Sequence, residues 1–304
     1  MSRRFAIMTD DPGWHGDELR AAFAHRGCDS AFVSLTDCRF DLGEPGGIVI
    51  PGFDTLPDGV FVRSISAGTL EQITLRLGVL HALRELGVPV YNDARAIERS
   101  TDKSMTSFLL KHHGVPTPPT WVSESEPQAR AHVMRETGAG RELVLKPLFG
   151  SQGKGLRRIS GIGDLPPAGD YNAVFYLQRF VDTGEGNWHD WRVFVVGHRA
   201  VAAMIRRGKT WINNVAQGAT CESAEVDPQL RILAEAASRA LNMDYAGVDI
   251  IRDPASGTLS VVEVNSIPAW KGLQNVCGFS VAQALIDDFL ARHFPLQAVG
   301  SVAR

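Results

Sequence analysis

The chain has 304 residues, 44% of them hydrophobic and 21% charged, which is enough apolar material for one large domain or two of ordinary size. Its 31 basic and 34 acidic residues give a formal net charge of −3, and this excludes the strongly basic composition of a general nucleic-acid binder. No apolar run approaches the roughly 18 residues of a membrane span, and the four cysteines form no CxxC pair. We therefore expect a cytoplasmic protein with reduced thiols and with no nucleic-acid or membrane partner.

The first third of the chain alternates between apolar strands and helices. Strands are predicted over residues 5–9, 30–35, 47–50, 60–62 and 88–91, and helices over 16–25 and 69–86. Leucine and isoleucine recur at helical spacing through the second helix, and a glycine follows each helix closely. Strands that alternate with helices are typical of a parallel sheet, so residues 1–99 are predicted to form an α/β domain.

Polar segments directly follow two strands of this domain. Residues 10–13 lead into Trp14 and His15 after the first strand, and Arg63 follows the strand at 60–62. Open α/β sheets bind ligands at the carboxyl ends of their strands. A tryptophan there could stack on a flat ring, and an arginine could pair with a carboxylate. An ordinary polar loop is the alternative explanation.

From residue 100 onward, strands follow one another largely without intervening helices. Helices are predicted over 102–113, 127–137, 227–241 and 281–293, and strands over 142–146, 174–180, 191–196, 247–251 and 259–264. Strands that are joined without crossover helices pair antiparallel. This part of the chain is therefore expected to be α+β.

Three oxygen-bearing side chains lie in two of these apolar strands. Asp249 interrupts the strand at 247–251, and Glu263 and Asn265, two residues apart, point to the same face of the next strand. A turn between the two strands would bring all three together. Few carboxylates and only oxygen ligands suit Mg²⁺, which completes its shell with water and phosphate oxygens. Three solvent-facing polar residues on a half-exposed sheet are the alternative.

A glycine-rich loop at 150–155 follows Lys146, which ends the strand at 142–146. Glycines let backbone amides approach phosphate oxygens closely, and a lysine adds positive charge. The loop has neither the Walker A pattern nor the Rossmann fingerprint, and it would be an unremarkable hairpin tip by itself. A second lysine, Lys103, and the carboxylates downstream favour a phosphate-binding site.

Taken together, these segments resemble the ATP-grasp superfamily, in particular the RimK-type amino-acid ligases. The resemblance is close over roughly residues 90–275 and loose over the first third. It rests on DK at 102–103, GVPTP at 114–118, LKPLFGSQG at 145–153, QRFV at 178–181, DWRVFV at 190–195, Arg206, WINNVAQG at 211–218, AGVD at 246–249 and EVNSIP at 263–268. The order of these pieces, more than any one of them, identifies the family.

The resemblance implies an ATP-grasp fold, with an N-terminal parallel α/β domain (1–99) and two α+β lobes (100–180 and 181–304) that clasp ATP. The residues that it assigns to ATP are Lys103, Lys146, Gly150, Ser151, Gly153, Gln178, Arg179, Phe180, Val181, Asp190, Asn213 and Asn214. Two Mg²⁺ ions, with Mn²⁺ as an alternative, would be held by Asp249, Glu263 and Asn265. Arg206 would be the catalytic residue that faces the reacting carboxylate.

The activity that the resemblance implies is ADP-forming ligation of a carboxylate to an amine through an acylphosphate. Relatives add L-glutamate to a ribosomal protein's tail, an amino-group carrier protein, a deazaflavin cofactor or tetrahydromethanopterin. Segments 10–15 and 61–65 look most like the tetrahydromethanopterin ligases, whereas Gln217 and Ala219 depart from the carrier-protein ligases, which have Arg and Gly there.

We therefore expect the substrates to be L-glutamate and a small pterin with a carboxylate-bearing arm, with Trp14, His15 and Arg63 binding this acceptor. The sequence leaves the oligomeric state open, including a homo-oligomer. A ligase that adds glutamate or another amino acid to a protein tail, an amino-group carrier protein or a deazaflavin cofactor is the alternative acceptor assignment. An inactive nucleotide-binding regulator is the alternative of another class. The complete set Lys103, Lys146, Arg206, Asp249, Glu263 and Asn265 favours the enzyme.

Overall fold

The computed structural model of the chain describes residues 2–150, 152–184 and 186–295. The first third contains β1 (Arg4–Met8), α1 (Gly13–His25), β2 (Asp29–Val33), β3 (Arg39–Phe40), β4 (Ile48–Val49), β5 (Gly59–Val62), α2 (Leu70–Glu85) and β6 (Val90–Tyr91). The middle contains α3 (Ala94–Thr101), α4 (Lys103–His112), β7 (Thr120–Ser123), α5 (Glu126–Gly138), β8 (Leu143–Lys146), β9 (Arg157–Ile159) and β10 (Phe175–Arg179). The last part contains β11 (His189–Val196), β12 (Arg199–Arg207), β13 (Thr220–Ala224), α6 (Pro228–Leu241), β14 (Tyr245–Arg252), β15 (Leu259–Asn265), α7 (Lys271–Gln274) and α8 (Val281–His293).

The described residues form two compact units. Unit 1 contains residues 2–94, 269–274 and 278–295, and unit 2 contains the described residues of 95–268 together with 275–277. Helix α8, which the sequence assigned to the last lobe, thus packs in unit 1. The three-part division at residues 99 and 180 stays a prediction.

Unit 1 is built on a four-stranded parallel sheet in the order β2-β1-β5-β6, which confirms the parallel α/β prediction. Every residue of β5 is buried, as the uninterrupted apolar run of a parallel strand requires. Phe5 of β1 stacks on Phe23 of α1, with ring centres 4.8 Å apart, and Phe289 of α8 meets Phe5 edge-on at 5.6 Å. Because β1 and β5 are parallel neighbours, their carboxyl ends meet at one edge of the sheet.

Unit 2 contains two antiparallel sheets, as the sequence predicted. One has the order β7-β10-β8-β9 and packs on α5 through an apolar core that includes Val133, Leu145 and Leu177. The other has the order β13-β12-β11-β14-β15 and packs one face on α4 and α6. Alternate residues of its strands therefore point away from this core, and these carry the polar side chains described below.

Several helices begin where a side chain caps them. The Thr69 hydroxyl accepts a hydrogen bond from Gln72 N at the start of α2, and the Gln72 side chain accepts one from Thr69 N. Asp102 and Asp227 cap α4 and α6 through their own carboxylates, and each accepts hydrogen bonds from two backbone N–H groups of the first turn. No helix within the described ranges is long and apolar enough to cross a membrane.

Candidate active site

The polar face of the five-stranded sheet brings five charged side chains together through its register. Asp190 of β11 pairs with Arg206 of β12, and Arg192 of β11 pairs with Asp249 of β14. Asp249 in turn lies opposite Glu263 of β15. The predicted convergence of Asp249 with Glu263 is therefore present as a direct cross-strand pair.

Two arginines hold the carboxylates of this face in a buried ion-pair network. Arg206 donates from Nε and Nη2 to both oxygens of Asp190, at 2.7 and 2.6 Å, and its Nη2 lies 2.9 Å from Asp249 Oδ2. Arg192 donates to both oxygens of Asp249 at 2.7 Å. Burial alone would raise the pKa of Asp249, but the charges of Arg192 and Arg206 lower it below its usual range. Asp249 therefore stays ionised.

Sequence reasoning missed Arg192, although a signal for it was present. Arg192 lies two residues after Asp190, which directly precedes the strand predicted at 191–196, so a start of that strand one residue earlier puts both side chains on one face of the sheet. The sequence could not show that this face meets Asp249, 57 positions further along the chain.

The oxygen donors at the edge of this network fit a hard divalent cation. Asn265 donates from Nδ2 to Gly247 O at 3.4 Å, which leaves its amide oxygen as the atom suited to a metal. Within the described part of the chain, no group of three or more His, Cys, Asp or Glu side chains could hold a metal. A metal site here would therefore have to add the amide oxygen of Asn265 to the carboxylates of Glu263 and Asp249. A cation bound there would share Asp249 with the two arginines.

Lys103 and the glycine-rich loop are held against each other. The Lys103 ammonium donates to Gly150 O at 2.8 Å from the first turn of α4. Gly153 adopts φ +70°, and a Cβ atom there would lie 2.7 Å from Asn214 Oδ1. Only glycine permits this approach of the loop to the predicted phosphate ligand Asn214. Ser151, which the sequence assigned to ATP, lies outside the described residues.

Gln217 gives this loop a second attachment. Its side-chain amide donates to Gln152 O at 3.2 Å. This position was predicted to correspond to an arginine of the carrier-protein ligases. In this chain it carries a glutamine that contacts the glycine-rich loop.

Lys146 is oriented by a buried amide. Its Nζ donates to Gln178 Oε1 at 2.7 Å, and Gln178 Nε2 donates to Thr120 Oγ1 at 3.1 Å. Desolvation lowers the pKa of Lys146 to about 8, although the nearby charge of Glu263 acts in the opposite direction. Lys146 is therefore a cation below about pH 8 and loses its charge above it.

We expect ATP affinity to fall as the pH rises through about 8, because the Lys146 cation is then lost from the predicted phosphate site. A hydrogen bond to a charged group contributes about 1.5–3 kcal/mol, so the Kd should rise roughly tenfold or more. Titration of the free enzyme with ATP between pH 6.5 and 9.5 measures this. The Lys146→Arg variant keeps its charge and should show no inflection. An equally steep rise in both proteins would assign the pH dependence to another group.

The predicted ATP residues surround two adjoining cavities of unit 2, of about 120 and 60 Å³. The first lies between the two sheets and is lined by Lys146, Gln178, Arg179, Phe180, Val181, Asp190, Arg206, Asn213, Asn214, Asp249 and Glu263, among others. The second is lined by Lys103, Lys146, Gly150, Gly153, Asn214 and Glu263, among others. Every predicted ATP residue that the structure describes lines one of them, whereas Asn265 lines neither.

Arg179 directs its side chain into the protein. Its guanidinium donates from Nη2 to Glu136 Oε2 at 2.8 Å, and Arg141 donates to the same oxygen at 2.8 Å. Hydrogen bonds from Arg141 and Arg179 lower the pKa of the buried Glu136 to about 2, against the effect of burial. The charge of Arg179 is therefore already used within the protein, and its backbone N–H donates to Pro119 O at 2.8 Å.

Three aromatic rings form one side of the first cavity. Phe180 lies 6.1 Å from Trp188 and 5.8 Å from Trp211 between ring centres. Sequence reasoning gave Trp188 no role, because only the fold brings it beside Phe180.

The acceptor residues predicted from the first third lie together in unit 1. His15 meets the ring of Trp14 at 5.0 Å and that of Trp270 at 4.6 Å between centres, and the Arg63 guanidinium lies 5.1 Å from the Trp270 ring. The Lys271 ammonium lies 5.9 Å from the Trp14 ring. The sequence predicted that Trp14, His15 and Arg63 lie at one edge of the sheet. No pattern in the sequence indicated that Trp270 and Lys271 lie beside them. We call these five residues the aromatic–cation cluster.

Comparisons with a protein-family model, with named relatives and with solved structures all match this chain to ATP-grasp proteins or glutamate ligases. Residues 100–289, more than half of the chain, match the family model of the RimK-like ATP-grasp domain. The tetrahydromethanopterin:alpha-L-glutamate ligase of Methanococcus maripaludis is 32% identical over 94% of this chain and 98% of its own length. The ligase of the same name from Methanocaldococcus jannaschii is 35% identical over 77% of this chain and 79% of its own. The ATP-grasp ligase PsnB, solved with a phosphomimetic variant of its minimal precursor, Mg and ADP, superposes with a TM-score of 0.72 at 20% identity over 96% of this chain and 99% of its own.

Proposed function

Because the chain belongs to the RimK-like ATP-grasp family, we propose that it joins L-glutamate to a carboxylate of a tetrahydromethanopterin-type pterin. The protein is an enzyme of the ligase class with an ATP-grasp fold. The observation that carries the choice of acceptor is the extent of the match to the Methanococcus ligase. It covers 94% of the chain and thus includes most of unit 1, which lies largely outside the matched ATP-grasp domain.

The chemistry requires activation, because a carboxylate does not form an amide with an amine at neutral pH. The acceptor carboxylate attacks the γ-phosphorus of ATP, which forms an acylphosphate and releases ADP. The glutamate nitrogen, after losing a proton, then attacks the acyl carbon, and inorganic phosphate leaves. The products are an amide, ADP and phosphate.

Cations of unit 2 would bind the nucleotide during these steps. Lys103, Lys146 and the backbone of the glycine-rich loop would hold the phosphates, as their common position around the second cavity supports. The enzyme uses ATP with Mg²⁺, in keeping with its fold and with the Mg and ADP bound in PsnB. We place two Mg²⁺ ions at Asp249, Glu263 and Asn265. When bound, Mg²⁺ neutralises developing charge and orients the polyphosphate.

Arg206 is the candidate for binding the reacting carboxylate. Its ion pairs within the described residues use Nε and Nη2, which leaves Nη1 to donate to the substrate. The same group could donate to the oxyanion that develops when the amine attacks. Asp190 and Asp249 would hold the guanidinium in position for both steps.

A ligation assay tests this function. The enzyme is incubated with ATP, Mg²⁺, L-glutamate and, in separate reactions, a tetrahydromethanopterin-type pterin, a deazaflavin cofactor and an acidic peptide. Mass spectrometry should find glutamate added to the pterin, and chromatography should find ADP and phosphate in equal amounts. Glutamylation of the peptide without pterin turnover would overturn the acceptor. AMP and pyrophosphate as products would replace the acylphosphate with an adenylate.

Replacing Trp14 should weaken acceptor binding and leave the KM for ATP almost unchanged. Trp14→Ala removes a half-buried ring, which costs about 1–3 kcal/mol and raises the acceptor KM by roughly fivefold to 150-fold. Trp14→Phe, which keeps an aromatic face, should recover part of the loss. Arg63→Ala should act similarly, with only partial rescue in Arg63→Lys. An acceptor KM that none of these variants changes would exclude both residues from the acceptor site.

A further inference from the structure

Four polar side chains meet on one face of the sheet β7-β10-β8-β9. Tyr176 and Gln178 are two residues apart on β10, so both point to the same face. The antiparallel register places Tyr176 opposite Lys146 of β8, and Gln178 opposite Thr120 of β7. Gln178 is 3% exposed and Tyr176 is 1% exposed, so their polar atoms depend on partners within the protein.

The hydrogen bonds of the Gln178 side chain determine the orientation of its amide. The Lys146 ammonium can only donate, so it requires the amide oxygen, and its Nζ lies 2.7 Å from Gln178 Oε1. At the other end, the Thr120 hydroxyl donates to Pro118 O at 2.8 Å, which leaves its oxygen to accept from Gln178 Nε2 at 3.1 Å. Both ends therefore require the same orientation, with the amide oxygen towards Lys146.

Tyr176 supports this orientation from a second side. Gln178 Nε2 also donates to the Tyr176 hydroxyl at 3.3 Å, so both N–H groups of the amide have an acceptor. The Lys146 Nζ lies 5.8 Å from the centre of the Tyr176 ring. The Tyr176 hydroxyl lies 2.7 Å from that of Ser107, which connects the network to α4.

We propose that Thr120 and Tyr176 are positioning residues for ATP, which act by holding the Gln178 oxygen against the Lys146 ammonium. Because Lys146 is assigned to the phosphates above, this role rests on the proposed function. Gln178 lines the first nucleotide cavity and Lys146 lines both, whereas Thr120 and Tyr176 are absent from the described linings of the two. An effect of either hydroxyl on ATP therefore has to pass through the amide and the lysine.

Replacement of Thr120 should weaken ATP binding. Thr120→Val removes the hydroxyl at similar size, so the Gln178 amide can turn its Nε2 towards Lys146, and the Kd for ATP should rise about tenfold. Thr120→Ser restores a hydroxyl and should stay within about threefold of the wild type. Calorimetric titration with ATP and Mg²⁺ at pH 7, without acceptor or glutamate, measures both.

Thr137→Val is the matched control. The Thr137 hydroxyl also donates to a backbone carbonyl at 2.8 Å, that of Val133 in the same unit, and this is its one hydrogen bond within the described residues. Its removal should change the Kd for ATP by less than about twofold. An equal rise in Thr120→Val and Thr137→Val would overturn the positioning role, because loss of any such hydroxyl would then have the same effect.

A Lys146→Met background shows whether the hydroxyls act through the lysine. Lys146→Met alone should raise the Kd for ATP about tenfold or more. Tyr176→Phe, which keeps the ring, should raise it about threefold to tenfold in the wild type, and neither Tyr176→Phe nor Thr120→Val should add more than about twofold to Lys146→Met. Additive changes would overturn the positioning role. A Kd that Lys146→Met leaves unchanged would also overturn it, since no contact with ATP would remain to be positioned.

These titrations are independent of the acceptor. If no pterin is glutamylated, the proposed function fails, and the Kd values for ATP still decide the positioning role. If the pterin is glutamylated while Thr120→Val and Tyr176→Phe bind ATP like the wild type, the function stands and the positioning role fails. Urea denaturation establishes that each variant is folded, and Tyr176→Phe provides the same test if Thr120→Val does not fold.

Discussion

Glu263→Ala is expected to lower kcat by about 10² or more while the protein remains folded. Glu263 is the carboxylate that lines both cavities, and its charge acts on the pKa of both Lys103 and Lys146. Its removal would take away an oxygen ligand of the proposed Mg²⁺ ions, whose stabilisation of developing charge contributes several kcal/mol. The measurement is kcat at saturating Mg²⁺, with urea denaturation to establish folding.

A control on the same sheet separates loss of a ligand from loss of a surface charge. Glu222 of β13 also carries a partly exposed carboxylate, which pairs with Arg207. Glu222→Ala should leave kcat within about twofold of the wild type, because a surface ion pair contributes at most about 1 kcal/mol and touches no substrate. Near-normal turnover of Glu263→Ala at saturating Mg²⁺ would show that this carboxylate does not bind the metal.

Arg206→Met should lower the free energy of unfolding by about 3–5 kcal/mol. The Arg206 side chain is only 3% exposed, and its removal leaves Asp190, and in part Asp249, as buried carboxylates without their partner. Breaking a buried ion pair from one side has this cost because the remaining charge is neither solvated nor neutralised. Urea denaturation of the ligand-free protein measures it.

The next residue of the same strand provides the control. Arg207 pairs with Glu222 at the surface, with 41% of its side chain exposed, so Arg207→Met should cost no more than about 1 kcal/mol. If the two variants lose equal stability, the buried network does not hold β11 and β12 together. Arg206→Lys keeps the charge and should fold. Its kcat should still fall, because an ammonium group cannot reproduce the two-pronged contact of the guanidinium.

Much of the architecture follows from local patterns of this sequence. Helices α2, α4 and α6 begin at capping residues that are visible in the sequence, and the apolar runs of β1 and β5 are typical of buried parallel strands. The glycine-rich loop and the carboxylates in apolar strands were predictable for the same reason. Each depends on neighbours within a few positions of the chain.

The sequence patterns did not predict the strands whose stability depends on pairing with neighbouring strands. Residues 199–207 contain three alanines and no regular alternation, yet they form β12 because β11 and β13 pair with them on both sides. Such pairing overrides the weak intrinsic preference of the segment. The short strands β7 and β9 were missed likewise, since three or four residues carry too little periodic signal.

The sequence by itself determined the residue types of the site and the faces of the strands on which they lie. Only the tertiary structure decided which of them meet. The ion pair of Arg192 with Asp249 depends on the register of β11 against β14, and the contact of His15 with Trp270 joins residues 255 positions apart. The register of paired strands and the contacts between residues far apart in the sequence depend on packing of the whole core, in which many weak contacts act together. No local pattern of residues encodes them.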